Sequence, residues 1–263
     1  MPDSTRPIGL LTDFGTRSPY VAAMKGVIAG IAPEASIHDL SHAIEPGNIR
    51  EAALALEAIV PYWPPRAIHV CVIDPGVGSA RRGVVVESRV GVFVGPDNGL
   101  FSTVYAADPD ARVHALVERR YFRDVISSTF HGRDVFSPVA AHVALGVDPS
   151  EFGPAVDDPQ RIAFSAPRRE GDRIVGEVAL VDHYGNLISN VPAEMLGGSR
   201  DWSVTVGGER VQRIGDHYAE VEVGDLISHV GSTGRVELSE NMGNAARRLG
   251  VGVGARFVLE RVG

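Results

Sequence analysis

Hydrophobic and polar positions alternate in two different ways along this chain, and the change falls near residue 165. Before it, short continuous apolar runs alternate with longer stretches in which apolar residues recur about every three to four positions. Continuous apolar runs are typical of strands buried on both faces of a parallel sheet, and the longer period is typical of amphipathic helices. The predicted strands of this part are IGLLTDF, SIHDL and AIHVCVID, followed by a hairpin made of GVVVES and GVFVGP.

Helices are predicted between and after these strands, in SPYVAAMKGVIAGI, NIREAALALEAIV, LFSTVYAA and DVFSPVAAHVALG. The first of them has Ser18 as a predicted N-cap and Pro19 at its first helical position. In the second, Asn48 and Glu51 have the spacing of a capping box. Strands that alternate with helices predict a layered α/β domain, which we expect over residues 1–165.

A charged segment, SAPRREGDR, interrupts this pattern and predicts a domain boundary. Beyond it, over residues 174–263, the predicted strands are short and are separated by turn residues. Gly207 and Gly208 stand between two alternating runs, which is a hairpin signal. The second domain is therefore predicted to be small and all-β, either a barrel or a sandwich.

The net charge of −8 is spread along the chain with no basic block, which argues against a nucleic-acid partner. The same acidic excess is compatible with a small cationic substrate. No apolar run approaches the length of a membrane span, and MPDSTRP lacks the pattern of a signal peptide. The single cysteine, Cys71, lies in an apolar strand, so we expect a core residue of a cytoplasmic protein.

Two aspartates follow the ends of predicted strands, Asp13 in LLTDFG and Asp74 in VIDPG. Ligands of open α/β sheets bind at the carboxyl ends of the strands, so two carboxylates in equivalent places indicate a site. Arg81 follows Asp74 across a loop containing Gly and Pro, and His131 in STFHGRDVFSP precedes a helix of the same domain. Each residue alone could serve a turn or the core, but together they predict a shared site.

The second domain offers polar turns whose purpose the residues alone leave open. VDHYGNLISN places Asp182, Tyr184 and Asn186 in one tight turn between strands, and Ser232 lies in a turn flanked by glycines. Such turns commonly use Asp, Asn and Gly for reasons of backbone geometry. A serine in a Gly-flanked turn can also belong to a nest of backbone N–H groups that binds a carboxylate.

Familiar motifs are incomplete in this chain. DFG lacks the Gly-rich loop, the strand lysine and the HRD loop of kinases. GVGSARRG has Arg81 where the dinucleotide fingerprint needs its last glycine, and GVGVGARF precedes a strand. Asp13, Asp74 and His131 could in principle bind a divalent metal. No HxH or HExxH spacing is present, however, and an arginine beside the carboxylate disfavours a cation, so no metal is predicted.

Six segments, in order along the chain, resemble the SAM hydroxide adenosyltransferases, relatives of the fluorinase and chlorinase that use S-adenosylmethionine (SAM). The segments are LLTDFG, SPYVAAMKG, VIDPGVGSARR, GPDNGL, TFHGRDVFSP and DHYGNLISN. The resemblance implies a Rossmann-like N-terminal domain, a C-terminal β-barrel and a homotrimer that holds SAM between subunits. It also implies hydrolysis of SAM to adenosine and L-methionine, without metal or cofactor, by in-line attack of water or hydroxide on the ribose 5′ carbon.

The resemblance also implies roles for individual residues. The family's catalytic Asp–Arg–His triad falls on Asp74, Arg81 and His131, and its ribose-binding aspartate falls on Asp13. The remaining substrate-binding positions fall in the second domain: Asp182, Asn186 and Ser232 at the methionine end, Tyr184 or Tyr218 as the aromatic near the base, and Met242 in the ENMG loop.

Departures from the halogenases favour water over halide as the nucleophile. Those enzymes carry a Tyr-Pro pair where this chain has Asp74 and Pro75, and a small hydroxyl residue where it has Val77. A SAM-dependent chlorinase is one alternative function, which the product 5′-chloro-5′-deoxyadenosine would identify. A SAM- or adenosine-binding protein without turnover is another. The complete triad argues against that alternative, because a sensor has no use for a water-activating cluster.

Overall fold

The computed structural model describes residues 6–262, which divide into two compact units between Ala163 and Phe164. Within the described residues, no helix has both the length and the apolar character that crossing a bilayer requires.

A six-stranded sheet forms the centre of the first unit, counted over the residues that the structure describes. Its strands run in the order β2-β1-β3-β5-β4-β6, and β4 is antiparallel to both of its neighbours while β2, β1, β3 and β5 are parallel. The strands are β1 (Ile8–Thr12), β2 (Ile37–Ser41), β3 (Ile68–Val72), β4 (Gly83–Ser88), β5 (Gly91–Pro96) and β6 (Arg112–Ala115). The predicted hairpin is confirmed as β4 and β5.

Helices cover both faces of this sheet, which confirms a layered α/β unit. They are α1 (Tyr20–Ile31), α2 (Ile49–Ile59), α3 (Ser102–Ala107) and α4 (Ser137–Ala144). α1 and α4 pack in one apolar cluster with Leu10 and Val70, and α2 and α3 pack in the other with Leu11 and Cys71. Alternate residues of a strand point to opposite faces, so each central strand supplies both clusters.

Of the two predicted N-caps, Asn48 is confirmed and Ser18 is wrong. The Asn48 side chain accepts a hydrogen bond from the Glu51 amide at 3.0 Å, as an N-cap should. The Glu51 carboxylate does not complete the capping box, because it accepts from the Glu45 amide instead. Ser18 is not the N-cap of α1: Pro19 occupies that position and no side chain caps the helix.

The second unit is one nearly closed, barrel-like sheet. Its strand order is β11-β10-β15-β8-β9-β14-β13-β12, with β7 beside β8, and the strands at the two ends of this order contact each other's neighbours. The described strands are β7 (Arg168–Glu170), β8 (Arg173–Val181), β9 (Leu187–Pro192), β10 (Trp202–Val206), β11 (Glu209–Val211), β12 (Ile214–Gly215), β13 (Leu226–Val230), β14 (Arg235–Glu240) and β15 (Arg256–Arg261), and one helix, α5 (Ala245–Leu249), follows β14. Of the two predicted alternatives, the barrel is the better description.

The core of the second unit centres on Trp202, Phe257 and Leu259, which are fully buried. The predicted hairpin at Gly207 and Gly208 joins β10 to β11, and both glycines have positive φ, at 61° and 88°. Two successive residues with positive φ are what a two-residue hairpin loop matching the strand twist requires.

Candidate active site

The loop after β3 carries Asp74 and returns to β4 by a close approach to another loop. Gly78 adopts a φ of +76°, and a Cβ at this position would lie 2.2 Å from the Ser128 carbonyl oxygen. No real side chain tolerates that distance, so glycine is what allows the two loops to touch. The contact brings the segment that carries Arg81 toward the segment that precedes His131.

The GPDNGL segment anchors both ends of this loop. The Asn98 amide nitrogen donates to the Ile73 carbonyl at 2.9 Å, directly before Asp74. Arg82, directly after Arg81, donates to the buried Asp97 carboxylate at 2.9 Å. Ile73 and Arg82, the neighbours of Asp74 and Arg81 in sequence, are thus held by the turn after β5. These bonds fix where Asp74 and Arg81 lie.

Asp74, Arg81 and His131 form one connected cluster. Arg81 Nε donates to Asp74 Oδ1 at 2.9 Å, and Arg81 Nη2 donates to Asp74 Oδ2. The same Nη2 lies 2.9 Å from His131 Nδ1. The pair is largely shielded from solvent, with side-chain exposures of 5% for Asp74 and 13% for Arg81. A bidentate pair in such surroundings has strongly restricted geometry.

His131 is positioned by an unusual helix start. A π-helical turn, Gly132–Phe136, follows it and leads into α4. Such turns occur often at functional sites. The fully buried Asp134 carboxylate accepts from the Ser127 amide at 2.8 Å and from Arg133 Nε at 2.7 Å, which ties the incoming loop to the helix. Burial alone would raise the pKa of Asp134, but these bonds outweigh it and hold that pKa below its usual value.

The cluster defines the protonation state of His131. Arginine has no acceptor, so its contact with Nδ1 requires an unprotonated Nδ1 and leaves the proton of the neutral ring on Nε2. Burial and the Arg81 charge lower the pKa of His131, against the opposing effects of Asp74 and Asp134. The ring is therefore neutral near pH 7 and presents an Nε2–H donor.

A cavity of about 410 Å³ lies at the carboxyl ends of β1 and β3 and is lined by Asp13, Asp74 and His131 together. The structure thus brings three of the predicted site residues of the first unit to one cavity. Arg81 hydrogen-bonds to two of them, Asp74 and His131. Asp13 Oδ2 accepts from the Gly47 amide at 2.8 Å, which leaves its other oxygen without a bond to the described residues. Phe14, Val77 and Phe130 supply apolar lining.

In the second unit, Asp182 organises the turn between β8 and β9. Its Oδ1 accepts from the amides of Tyr184 and Asn186 at 2.9 and 2.8 Å, and its Oδ2 accepts from Asn186 Nδ2 at 2.8 Å. Gly185 has a φ of +88°, and a Cβ there would lie 2.1 Å from the Asn244 side chain. The turn therefore packs against the polar loop before α5, as only a glycine permits.

Tyr218 joins this turn, and a buried ionisable pair lies behind it. Asn186 Nδ2 is 3.3 Å from the Tyr218 hydroxyl, and the Tyr218 ring meets the His229 ring edge-on at 4.8 Å. His229 Nε2 lies 3.6 Å from Glu237 Oε2. Burial, with the nearby Asp182 charge, raises the pKa of Glu237 to about 7. Sequence reasoning missed this pair, because alternation along β14 predicts a solvent-facing glutamate there.

Ser232 and Met242 are placed differently. Ser232 lies in the turn between β13 and β14, where β14 pairs Arg235 with Pro192 at the far end of β9 from Asn186. Gly231, directly before Ser232, closely approaches the Glu237 carboxylate, because a Cβ at Gly231 would lie 1.7 Å from Glu237 Oε1. Met242 is 86% exposed and has a φ of 58°, a conformation that non-glycine residues rarely adopt.

Sequence reasoning also missed a chain of polar contacts beside Asp13, formed by the buried Thr12 and His42 and the exposed Asp39. The HDLSH segment contains the signal, a histidine directly after a strand end, but nothing in the sequence alone joins it to Thr12. Over residues 6–262, no group of three or more His, Cys, Asp or Glu side chains is placed to hold a metal ion.

Comparisons with known proteins agree along the chain. The family models of the SAM hydroxide adenosyltransferase N-terminal and C-terminal domains match residues 8–153 and 176–258. The chain is 40% identical over 253 residues to the (R)-S-adenosyl-L-methionine hydrolase of Thermus thermophilus, covering 94% of this chain and 96% of that one. It is 24% identical to the fluorinase of Actinopolyspora mzabensis, covering 94% and 95%. A crystal structure of an uncharacterized conserved protein from Thermotoga maritima superimposes with a TM-score of 0.91 at 34% identity, over 97% of this chain and all of that one.

Proposed function

Because this chain belongs to the SAM hydroxide adenosyltransferase family, we propose that it hydrolyses S-adenosyl-L-methionine to adenosine and L-methionine. The observation that carries this proposal is the Asp74–Arg81–His131 cluster at the cavity that Asp13 also lines. One carboxylate is thus available for a ribose and a second, held by a guanidinium, is available for a water molecule. The Rossmann-like character implied for the first unit belongs to the same proposal, and its parallel β2-β1-β3 strands support it.

The reaction needs help at the nucleophile and not at the leaving group. Water forms a bond to C5′ of the ribose while the C5′–S bond breaks, and the electron pair of that bond returns the sulfonium to a neutral thioether. Methionine therefore leaves without a proton, and one proton from water goes to solvent. No step of this balance calls for a redox cofactor.

Asp74 acts on water by holding it and accepting its proton late. Water is a far weaker acid than a protonated carboxyl group, so a complete prior transfer would cost about 16 kcal/mol. Transfer becomes favourable only as C–O bond formation acidifies the attacking oxygen. Alignment is the larger contribution, because effective molarities reach about 10⁵–10⁸ M whereas general-base help gives about 10²–10⁴-fold.

Arg81 and His131 complete the water site. Arg81 keeps the Asp74 carboxylate oriented through two bonds and keeps His131 neutral by occupying Nδ1. The remaining Nε2–H of His131 can then donate to the oxygen of a water molecule whose hydrogen points to Asp74. Such a water has a defined lone pair for attack on carbon. A halide in the same place would face the Asp74 carboxylate, which disfavours the chlorinase alternative.

Binding of the substrate is divided between the two ends of the molecule. We assign the ribose hydroxyls to Asp13 and the methionine end to Asp182, Asn186 and Ser232, with Tyr184 or Tyr218 at the base and Met242 beside it. The exposed Tyr184 and Met242 support an interface role for this part of the second unit. On the family resemblance, a homotrimer with sites between subunits completes the proposal, and light scattering of the active protein tests it.

The configuration at sulfur is part of the proposal. The names of the similar hydrolases specify the R form, and L already fixes the amino-acid carbon, so R describes the sulfonium centre. Both sulfonium epimers give the same methionine, because the product sulfur is no longer a stereocentre. Selection must therefore act on how the methionine end lies when C5′ faces the water, and we expect the R epimer to be preferred.

Incubation of the purified protein with each SAM epimer in ¹⁸O-labelled water tests this function. The expected products are methionine and adenosine with ¹⁸O in the 5′ hydroxyl, and Asp74→Asn serves as the control for uncatalysed loss. Methylthioadenosine as the product would overturn the assignment of C5′ as the reacting carbon. Formation of 5′-chloro-5′-deoxyadenosine in chloride would show the halogenase reaction instead.

A further inference from the structure

A chain of hydrogen bonds runs from the surface of the first unit to the buried residue before Asp13. Lys25 Nζ donates to Asp39 Oδ2 at 2.7 Å, and Asp39 Oδ1 lies 2.9 Å from His42 Nε2. His42 Nδ1 lies 2.9 Å from Thr12 Oγ1. Thr12 is fully buried and His42 nearly so, at 8% exposure, so water competes poorly for the bond between them, whereas Asp39 and Lys25 are partly exposed.

The donors and acceptors of this chain fit in one direction. Asp39 is an acceptor, with a pKa held below its usual value by the His42 bond and then by Lys25, so His42 Nε2 carries a proton. In the tautomer with its single proton on Nε2, Nδ1 accepts from the Thr12 hydroxyl. Thr12 Oγ1 in turn accepts from the Phe14 amide at 3.2 Å, on the far side of Asp13. Every member is satisfied, and the last bond fixes the backbone that carries Asp13.

The same two loops are joined at two further places. The Gly15 amide donates to the His42 carbonyl at 2.8 Å, and the Gly47 amide donates to Asp13 Oδ2 at 2.8 Å. The loop after β1 and the loop after β2 thus hold each other on both sides of Asp13. Gly47 lines the same cavity as Asp13, so these contacts end at the site itself.

We propose that Thr12 and His42 are positioning residues that orient the Asp13 carboxylate toward the two hydroxyls of the ribose. This inference rests on the proposed function, because it assumes a ribose at Asp13. The hydroxyl of Thr12 is the essential group, since it joins the imidazole of His42 to the backbone of the Asp13 loop. A carboxylate that rotates freely would keep its charge but lose the paired geometry that a diol requires.

Binding of adenosine and of 2′,3′-dideoxyadenosine, measured by calorimetry, separates positioning from general loosening. The ligands differ only in the two hydroxyls, so the ratio of their affinities reports the grip on the diol. In the wild type we expect a ratio of about 10–100, from charge-assisted bonds to Asp13. Thr12→Val, which keeps shape and removes the hydroxyl, should reduce the ratio below about five, and Thr12→Ser should restore it.

Two further variants serve as a reference and as a control for the affinity ratio. Asp13→Ala sets the ratio expected when the carboxylate is absent. Thr103→Val removes a hydroxyl that donates to the Ala53 carbonyl at 3.0 Å elsewhere in the first unit, and it should leave the ratio unchanged. Thermal unfolding of each variant checks that the fold persists, and Thr12→Ser provides the readout if Thr12→Val fails to fold.

The outcomes distinguish this inference from the function beneath it. If the wild type binds neither SAM nor adenosine, the proposed function fails. If Asp13→Ala loses the discrimination while Thr12→Val keeps it, or if Thr12→Val weakens both ligands equally, the positioning role is wrong and the proposed function stands. A Thr12→Ser protein that behaves like Asp13→Ala would also overturn it.

Discussion

Replacing Arg81 by lysine should abolish most turnover while leaving the substrate bound. Lysine keeps the positive charge, but its ammonium is a single point that can keep one contact to Asp74 in place of two. The structure shows that Arg81 also donates to His131 Nδ1 and lies 5.2 Å from the Phe136 ring. The variant therefore loses one charge-assisted bond to the carboxylate and the bond that holds the imidazole.

The magnitude follows from those two bonds. Each hydrogen bond to a charged group contributes about 1.5–3 kcal/mol, so together they amount to about 3–6 kcal/mol of positioning. At about 1.36 kcal/mol per factor of ten, turnover should fall by about 10²–10⁴-fold. SAM should still bind within about tenfold of wild type, because the proposed function assigns water to this cluster and the substrate's own contacts to other residues.

The adjacent arginine provides a matched control. Arg82 makes a structural pair with Asp97 and Asp158, at 2.9 and 2.7 Å, so Arg82→Lys is the same chemical change one residue away. Single-turnover rates and calorimetric SAM binding are measured on both variants, with thermal unfolding as the check on folding. Equal loss of turnover in both proteins would refute the reasoning, as would an Arg81→Lys protein within about threefold of wild type.

Further outcomes are expected at other residues and under other conditions. Asp13→Ala should weaken SAM binding by about 10–100-fold in calorimetry through loss of charge-assisted bonds, and unchanged affinity would contradict a ribose-binding role. Since protonation blocks the acceptor at His131 Nδ1, turnover should fall with acid, with an inflection below the ordinary histidine value of 6.5; an inflection above it that disappears in His131→Asn would contradict this. Glu237 has its pKa raised to about 7, so the folded state binds the extra proton and loses stability as pH rises from about 4.5 to 7. In urea unfolding, the stability of Glu237→Gln relative to wild type should rise by about 2 kcal/mol when the pH is raised from about 5 to about 8, after allowance for solvent screening. The same stability difference at both pH values would rule out titration of Glu237. Exhaustive chelation should leave SAM hydrolysis unchanged, and activity restored by one divalent ion would overturn the metal-free mechanism.

The edge of the sheet where the site lies could be predicted because it follows from strand order and direction. β1 and β3 pair in parallel with Thr12 opposite Val72, so the residues that follow them emerge at the same edge. A sequence with two strand-terminal aspartates in one parallel sheet therefore indicates one space for both. The N-cap at Asn48 could be predicted equally well, because its partner Glu51 lies only three residues away in the sequence.

Contacts that depend on distant pairing could not be predicted. Thr12 and His42 are thirty residues apart, and their bond exists only because β1 and β2 lie side by side. The prediction of Ser18 as N-cap was wrong by one residue. The helix begins one residue later than predicted, so Pro19 takes the cap position. The buried environment of Glu237 depends on how the second unit folds around it.

The order of the three groups in the cluster accounts for how water can be oriented without a strong base. In a Ser-His-Asp triad the carboxylate bonds to the imidazole and stabilises its protonated form. Here a guanidinium stands between the two, donating to the Asp74 carboxylate on one side and to His131 on the other. The carboxylate remains an acceptor and the imidazole remains neutral, so the two groups facing the cavity are one acceptor and one donor. That complementary pair suits a water molecule, which both donates and accepts, and it gives a cationic sulfonium no positively charged imidazole to oppose it.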